Sequence, residues 1–393
     1  MVEDKFPPWP FYDKDELSAV QNVLLSNKVN YWTGTECNSF EKEFARWSGS
    51  KYAVALGNGT LALDSALRAL EIGNKHEVIV TSRTYIASAS SIVNVGATPI
   101  FADVNLNSQN IDIHSVSERI SKRTKAIICV HLAGWPCEMD ELMNLAKKHG
   151  LYVIEDCSQA HGAKYKKISV GSIGDIGCWS FCQDKIISTG GEGGMITTNN
   201  KLLWQKIWSY KDHGKDYNLT HKENKNLGFR WLHESFGSNY RMTEIQAAIG
   251  RIQLRKIQVW QKKRLENAKS IWEFAENIEG LRVPDIPEYI EHACYRCYIF
   301  LEPEKLKKGW DRDKILEKIS VLGIPCFSGS CSEVYLERAF INSGLGPKNR
   351  LINAKYLGET SIAFLTHPTL RQKDIVKTKN AIGIVMKEAV NIE

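Results

Sequence analysis

The stretch YVIEDCSQAHGAKYKKISVGSIGDIGCWSFCQDKIISTGGEGGMITTN, from Tyr152 to Asn199, decides the fold of this chain. Its first apolar run ends at the acid Asp156, and its second, Cys178–Phe181, is soon followed by Lys185 and a cluster of glycines. The C-terminal ends of parallel strands deliver side chains into one crevice. An amine that attacks a carbonyl needs a desolvated, polar niche that lowers its pKa, and two strand ends would supply that niche. We therefore expect Asp156 and Lys185 to share a site, although a lone lysine is ordinarily a surface charge and a strand-end aspartate is as often a loop cap.

Strand-like and helical patterns alternate before and around this stretch. The apolar runs that predict strands are Tyr52–Leu56, Glu77–Val80, Pro99–Asp103, Ala126–His131 and Tyr152–Asp156. The stretches between them that predict helices are Thr60–Leu70, Tyr85–Val95, Ile113–Ile120 and Glu138–His149. Such alternation predicts βαβ units and a mainly parallel sheet, and continuously apolar strands indicate that both faces of this sheet are covered.

The length of 393 residues predicts one large domain with a smaller companion. A long helical pattern runs from Arg241 into the 270s, and the composition changes after Leu281–Pro284 to a strand, a helix, another strand and a final helix from Gln372. We predict a three-layer α/β large domain over residues 1–255, with an N-terminal arm, and a smaller α+β domain over residues 256–393.

The bulk composition argues against several classes of protein. The net charge of +6 comes from scattered basic residues, which is too diffuse for a nucleic-acid stripe. The N-terminus lacks a signal-peptide core, and no stretch approaches the roughly 18 apolar residues of a membrane span, so we expect a cytoplasmic protein. The ten cysteines then read as reduced thiols. Cys294-x2-Cys297 with Cys326-x4-Cys331 is the set most typical of a metal site, but the first pair lies in a strand-like stretch and the second pair is spaced more loosely than in a zinc ribbon, so we expect no metal.

Three further motifs could bind a ligand, and each has a plainer interpretation. Gly57–Thr60 stands at a strand-to-helix junction, where amides and a hydroxyl can bind an anion, or where Thr60 simply caps a helix. Tyr85 could stack on a planar ligand or pack in the core. Asn239 could cap the long helix, and Arg241 could bind an anion or be a surface charge. The asparagine- and lysine-rich loop near residues 215–226 suggests mobility rather than a specific role.

Taken in order, these motifs resemble the pyridoxal-phosphate enzymes of the aspartate-aminotransferase fold, and in particular the nucleotide-sugar aminotransferases of the DegT/StrS type. The resemblance covers nearly the whole chain. The segments that carry it are NYWTG, GNGTLALDSALRAL, EVIVTSRTYIASASSIVNVGATPIFADV, TKAIICVHLAGWPCEMD, VIEDCSQAHGA, the SF-x3-K segment with GGEGGM, and SNYRMTEIQAAIGRIQL.

The resemblance implies a role for each matching residue. Lys185 would hold pyridoxal 5'-phosphate covalently and then act as general acid and base, while Asp156 would pair with the pyridine nitrogen. Tyr85 would stack on the cofactor ring and Gln159 would contact its 3-hydroxyl side. The residues implied for the cofactor phosphate are Gly59, Thr60 and Ser180, with Asn239 reaching it from the other subunit of a homodimer.

The reaction implied is a two-step amino transfer. Glutamate would leave its amino group as pyridoxamine 5'-phosphate and depart as 2-oxoglutarate, and a nucleotide-linked keto-sugar would then accept it. The family leans toward a 4-keto-6-deoxy sugar in the biosynthesis of surface polysaccharide such as O-antigen, with a 3-keto sugar as an alternative.

Departures from the family pattern bear on specificity and on rival functions. Cys182 and Gln183 stand where relatives often have histidine and proline, and Pro325–Gly329 replaces a His-Tyr-x-Pro-type segment near the sugar. A related sugar dehydratase, which uses pyridoxamine phosphate, would have histidine in place of Lys185. A non-catalytic protein would need neither Asp156, Gln159 nor Lys185, and a nicotinamide oxidoreductase lacks its GxGxxG here.

Overall fold

The structure is a computed structural model, and it describes residues 5–222 and 228–390. The end of the loop predicted near residues 215–226, and the first four residues of the N-terminal arm, lie outside these ranges. The strands are β1 (Tyr52–Leu56), β2 (Glu77–Thr81), β3 (Thr98–Ala102), β4 (Thr124–Val130), β5 (Tyr152–Asp156), β6 (Lys164–Tyr165), β7 (Ile168–Ser169), β8 (Ile176–Ser180), β9 (Gly194–Thr198), β10 (Leu281–Arg282), β11 (Ile290–Glu291), β12 (Cys297–Leu301), β13 (Cys326–Phe327) and β14 (Ser361–Phe364). The α-helices are α1 (Lys14–Ser26), α2 (Glu36–Ser48), α3 (Gly59–Ala69), α4 (Ala87–Asn94), α5 (Ile113–Ser117), α6 (Met139–His149), α7 (Lys201–Lys211), α8 (Tyr217–His221), α9 (Glu244–Ala275), α10 (Arg312–Val321), α11 (Arg338–Ser343), α12 (Ile352–Thr360) and α13 (Gln372–Ala389).

A seven-stranded sheet forms the centre of the large domain, in the order β1-β9-β8-β5-β4-β2-β3. β3, β2, β4, β5 and β8 pair in parallel, whereas β9 runs antiparallel to both β8 and β1. In this register Asp156 lies opposite Val130 on one side and Cys178 on the other. The ends of β5 and β8 therefore meet at one edge of the sheet, as the sequence predicts.

Helices cover both faces of this sheet. Val54, Ile128 and Ile154 pack in one apolar cluster with α3 and α4, while Ile127 and Val153 pack in another with α6. Side chains alternate between the faces of a strand, so burial of both sets requires apolar residues throughout. The α/β three-layer fold predicted from the sequence is confirmed.

A smaller α+β unit follows, and the 32-residue helix α9 joins it to the large sheet. Its antiparallel sheet has the order β10-β12-β14-β13, with α10 and α13 packed beside it. α9 packs against α1 and α2 and also against α13 and β12. The boundary predicted after residue 255 falls inside α9, so this boundary stays a prediction.

Helix starts differ from the sequence interpretation at two points that affect the site. Asn58, not Thr60, is the N-cap of α3, because its side chain accepts a hydrogen bond of 2.9 Å from the Leu61 amide. Thr243, not Asn239, caps α9, in a capping box with Gln246. Thr60 and Asn239 are therefore not needed as caps.

No helix in residues 5–222 and 228–390 is both long enough and apolar enough to cross a membrane.

Candidate functional site

A cavity of about 470 Å³ lies at the C-terminal edge of β5 and β8. Seven of the eight predicted site residues line this cavity: Gly59, Thr60, Tyr85, Asp156, Gln159, Ser180 and Lys185. Asn58, Ser88, Cys182, Asp184 and Glu192 complete much of the remaining wall. The fold thus places the predicted carboxylate and the predicted amine around the same space.

Asp156 is a nearly buried carboxylate held at both oxygens, with 5% of its surface exposed. Its Oδ2 accepts a hydrogen bond of 2.8 Å from the Ser88 hydroxyl, and its Oδ1 accepts one of 3.1 Å from the Ser158 amide. The bond from Ser158 is the loop-capping role that the sequence left open, and it coexists with a place in the cavity wall. These two donors fix the orientation of the carboxylate.

Lys185 is mostly buried, with 16% of its side chain exposed, and it pairs with its chain neighbour. Its Nζ lies 3.3 Å from Oδ1 of Asp184, whose Oδ2 accepts a hydrogen bond from the Tyr295 hydroxyl. Burial alone lowers the pKa of Lys185, but Tyr295 and Asp184 raise it above the usual range of a lysine. The sequence predicts a lowered pKa, and this is wrong for the cofactor-free chain because Tyr295 and the adjacent carboxylate of Asp184 together outweigh desolvation.

Gly59 and Ser180 bring the start of α3 against the end of β8. A Cβ at position 59 would lie 2.7 Å from the Ser180 Cβ, so only glycine permits this approach. The Ser180 hydroxyl accepts a hydrogen bond of 3.3 Å from the Cys182 amide and is 8% exposed. Free amides at the start of an 11-residue helix, with the Thr60 and Ser180 hydroxyls beside them, form a suitable cradle for a phosphate.

Tyr85 and Gln159 occupy the rim and the floor of the cavity. Tyr85 is 69% exposed, so the alternative that it packs in the core is wrong. Its ring is available to a ligand. Gln159 is 9% exposed, and its Oε1 accepts a hydrogen bond of 2.8 Å from the Ala133 amide. That bond directs the amide group of Gln159 and leaves its NH₂ group as a donor for a ligand oxygen.

Asn239 does not line this cavity. It lies on an exposed segment that bridges to Asp212, and the next residue, Tyr240, accepts a hydrogen bond of 3.0 Å from the Gly57 amide. Arg241 forms an ion pair of 2.8 Å with the buried Asp212. The ion pair with Asp212 accounts for Arg241. The contact of Asn239 with the cofactor phosphate of the other subunit stays a prediction.

The cysteines of the zinc alternative do not come together. Cys294, Cys297 and Cys326 each donate their thiol to a different backbone carbonyl, and Cys331 is exposed. In the described ranges the one group of potential metal ligands is His131, Glu155 and Cys157, all buried. Glu155 already accepts backbone hydrogen bonds from Gly171, Ile173 and Gly174, which indicates a structural carboxylate.

Sequence reasoning missed four residues that contact the predicted site residues or their partners. Ser88 donates a hydrogen bond to Asp156, and Asp184 pairs with the Lys185 amine and accepts a hydrogen bond from Tyr295. Trp9 of the N-terminal arm donates a hydrogen bond of 2.8 Å to the Lys185 carbonyl. Asp184 is adjacent to Lys185 and could have been noticed, whereas Tyr295 and Trp9 come from distant parts of the chain.

The residues present fit the cofactor that the resemblance implies. Pyridoxal phosphate needs an anion cradle, a carboxylate for its ring nitrogen, an amine for its aldehyde and a surface for its ring face. The close approach of Gly59 to Ser180, the buried Asp156, the half-enclosed Lys185 and the exposed Tyr85 provide these four groups around one cavity.

Comparisons with known proteins agree with this geometry. The curated relatives include GDP-perosamine synthase of Escherichia coli O157:H7, 42% identical over 263 residues, which cover 67% of each chain. They also include the UDP-N-acetyl-3-dehydro-alpha-D-glucosamine 3-aminotransferase of Acidithiobacillus ferrooxidans, 33% identical over 371 residues, or 94% of this chain and 93% of the relative.

Among solved structures, an aminotransferase from Psychrobacter cryohalolentis is 57% identical and superimposes with a TM-score of 0.95, covering 98% of this chain and 99% of the other. Residues 10–382 match the DegT/DnrJ/EryC1/StrS aminotransferase family. That match spans nearly the whole chain, and this protein therefore belongs to the DegT/DnrJ/EryC1/StrS aminotransferase family, whose members use pyridoxal or pyridoxamine phosphate.

Proposed function

We propose that this aminotransferase moves an amino group from glutamate to the keto group of a nucleotide-linked sugar, most simply a 4-keto-6-deoxy sugar. The observation that carries the proposal is the placement of Lys185 and Asp156 around one cavity, with the Gly59–Ser180 cradle in the same wall. GDP-perosamine synthase and the 3-aminotransferase are both relatives, so the position of the keto group is a choice within one family.

The residues of this chain have distinct tasks in that reaction. When bound, pyridoxal phosphate supplies an electron sink that stabilises negative charge on the reacting carbon. Asp156, oriented by Ser88 and the Ser158 amide, holds a proton on the ring nitrogen. Lys185 Nζ takes and returns the proton at the reacting carbon. Of the residues that line the cavity, Thr60 and Ser180 would hold the phosphate, Tyr85 would cover the ring, and Gln159 would donate to the 3-oxygen.

A keto-sugar dehydratase on the same fold is the second candidate. Solved structures of GDP-4-keto-6-deoxymannose-3-dehydratase match this chain with TM-scores of 0.86 and 0.85, but at 24% identity they bear on the fold alone. The amine of Lys185 favours amino transfer, because the dehydratase chemistry uses a histidine at this position.

Product analysis tests the proposal. Purified enzyme with pyridoxal phosphate and glutamate is incubated with a panel of 4-keto and 3-keto nucleotide sugars, and the mass and the position of amination of each product are determined. We expect 2-oxoglutarate and a 4-amino sugar in equal amounts. A deoxygenated sugar would support the dehydratase, and amination at C3 alone would move the substrate to the 3-keto class.

We also propose a homodimer in which Asn239 contacts the cofactor phosphate of the neighbouring subunit. Supporting this, the segment before Asn239 presents Phe229, Trp231 and Phe236 with exposures of 80%, 84% and 102%, and such surfaces mark association sites. Leu17 and Leu24 of α1 are also exposed.

Mixing two inactive variants tests this shared site. Lys185→Ala and Asn239→Ala subunits are expected to regain part of the activity after co-refolding, because one site of each hybrid dimer then has both intact residues. Two Lys185→Ala preparations mixed together serve as the control. No recovery from a hybrid shown to be dimeric by light scattering would contradict the contact across subunits. The cytoplasmic location and the O-antigen pathway remain predictions.

A further inference from the structure

A second cavity of about 360 Å³ adjoins the site and shares Tyr85, Gln159, Asp184 and Lys185 with it. Its remaining wall comes from the smaller unit, chiefly Tyr295, Arg296, Tyr298, Phe327 and residues 329–331. This cavity thus extends from Lys185 toward the part of the chain that departs from the family pattern at Pro325–Gly329.

Arg296 brings an unpaired positive charge to this wall. Its guanidinium carbon lies 4.9 Å from the ring centroid of Tyr295 and 5.7 Å from that of Phe327, so two aromatic rings hold it. Lys185 Nζ lies 5.4 Å from the same Tyr295 centroid. Within residues 5–222 and 228–390, no carboxylate forms a salt bridge with Arg296, which leaves its donor groups available to a ligand.

A second guanidinium, that of Arg264, contacts Thr366, whose hydroxyl donates to the carbonyls of Cys294 and Tyr295 just before Arg296. Arg264 is 1% exposed, and its Nε and Nη2 have no hydrogen-bond partner in the described part of the chain, while Nη1 is 3.4 Å from the Thr366 hydroxyl. Burial, and then repulsion by Arg296, lowers the pKa of Arg264. Two neighbouring cations without an acid between them are unfavourable, because a buried charge needs a partner.

The other ionisable groups near this cavity do not supply that partner. Asp184 is bonded to Lys185 and Tyr295. Against the effect of burial, Lys185 and, more weakly, Arg296 lower the pKa of Asp184, but no salt bridge joins Asp184 to Arg296 within the described residues. Glu337 lies on the exposed rim. Burial lowers the pKa of both His161 and His367 to about 3, so they are neutral under ordinary conditions. The end of the second cavity at Arg296 therefore carries a positive charge with no salt-bridge partner, and this end suits an anion.

We propose that Arg296 binds an anionic oxygen group of the substrate in the second cavity and thereby determines which substrate is presented to Lys185. A guanidinium offers a planar pair of donors that matches a carboxylate or a phosphate. Two substrate groups have this chemistry: the carboxylate of the amino donor and the diphosphate of the nucleotide sugar. The inference rests on the proposed function for the reaction, but binding at Arg296 can be measured without turnover.

The first arm of the test uses the cofactor-free protein. Calorimetric titrations with UDP and with GDP are compared for the wild type, Arg296→Gln, Arg296→Lys and the matched control Arg282→Gln. Arg282 also packs on an aromatic ring, with its guanidinium carbon 4.1 Å from the Phe300 centroid, but it does not line the cavity. The second arm measures the half-saturating glutamate concentration for amino transfer to the bound cofactor, with no sugar present.

Loss of a charged, two-donor contact is expected to weaken one of these interactions by about 10- to 100-fold in Arg296→Gln. Arg296→Lys should recover part of it, and Arg282→Gln should match the wild type. A fall in nucleoside diphosphate affinity identifies the diphosphate as the group that Arg296 binds. A rise in the half-saturating glutamate concentration identifies the carboxylate of the amino donor instead. If neither changes by more than about twofold in folded Arg296→Gln, the inference is wrong. Failure of the proposed function appears separately, as a wild type that takes up no pyridoxal phosphate.

Discussion

Substitution of Gly59 by alanine probes the phosphate cradle directly. The new Cβ would lie 2.7 Å from the Ser180 Cβ and 3.2 Å from the Ser180 Cα. Ordinary carbon contacts are about 3.5–4.0 Å, so α3 and the end of β8 must separate by roughly 1 Å. Both residues are buried, and the displaced groups are the hydroxyl and amides that we assign to the cofactor phosphate.

The magnitude follows from the cost of overpacking. Extra methyl groups in a closely packed site cost about 1–3 kcal/mol. If the cofactor-free protein relaxes and cofactor binding restores the close approach, the whole cost reduces the free energy of binding. The affinity for pyridoxal phosphate then falls by about 5- to 150-fold. Absorbance titration gives the affinity, and urea denaturation without cofactor gives the part of the cost that the fold itself carries.

Gly57, two residues earlier in the same turn, is the matched control. A Cβ there would meet its nearest neighbour, the Leu61 side chain, at an ordinary 3.5 Å. We expect Gly57→Ala to bind the cofactor within about threefold of the wild type. If Gly59→Ala binds as tightly as Gly57→Ala and is equally stable, the cradle does not lie between Gly59 and Ser180.

Two other variants follow from the hydrogen bonds around the site. Asp184→Asn removes a carboxylate that raises the pKa of Lys185. Attachment of pyridoxal phosphate needs a neutral amine, so the rate of attachment to the cofactor-free variant should increase at a lower pH than in the wild type. An unchanged curve of rate against pH would show that Asp184 does not control this amine. Glu155→Gln places an NH₂ group among the backbone amides of Gly171, Ile173 and Gly174 and loses the anionic partner of His131, which should cost about 3–5 kcal/mol in urea denaturation. Glu291→Gln, which loses only the exposed pair with Lys164, should cost less than about 1 kcal/mol, and equal costs for the two variants would refute the structural role of Glu155.

The parallel sheet and most of its helices could be predicted because their signals are local. Tyr52–Leu56 and Tyr152–Asp156 are uninterrupted apolar runs, and the structure gives β1 and β5 these same bounds. β9 was missed because Gly194–Thr198 begins among glycines and carries two threonines, which looked like the end of a loop. This segment is a strand because it pairs with β1 on one side and with β8 on the other. Pairing with distant strands leaves no pattern in the sequence of the segment itself.

The site could be predicted in outline and not in its electrostatics. Strand ends place Asp156 and Lys185 at one edge of the sheet, and this follows from topology alone. The raised pKa of Lys185 depends on Tyr295, which is 111 residues from Asp184 in sequence. Burial and then Arg296 likewise lower the pKa of Arg264, which lies on α9, a different element from Arg296. Such long-range pairs have no period or spacing in the sequence.

The central claim is that Lys185 and Asp156 hold one pyridoxal phosphate between them. The most direct measurement is the absorption spectrum of the purified protein after addition of pyridoxal phosphate and removal of the excess, for the wild type, Lys185→Ala and Asp156→Asn. We predict a visible band from lysine-bound cofactor in the wild type, its loss in Lys185→Ala, and retained cofactor with most of the turnover gone in Asp156→Asn. A wild-type spectrum without bound cofactor, or an Asp156→Asn enzyme with undiminished turnover, would contradict the account.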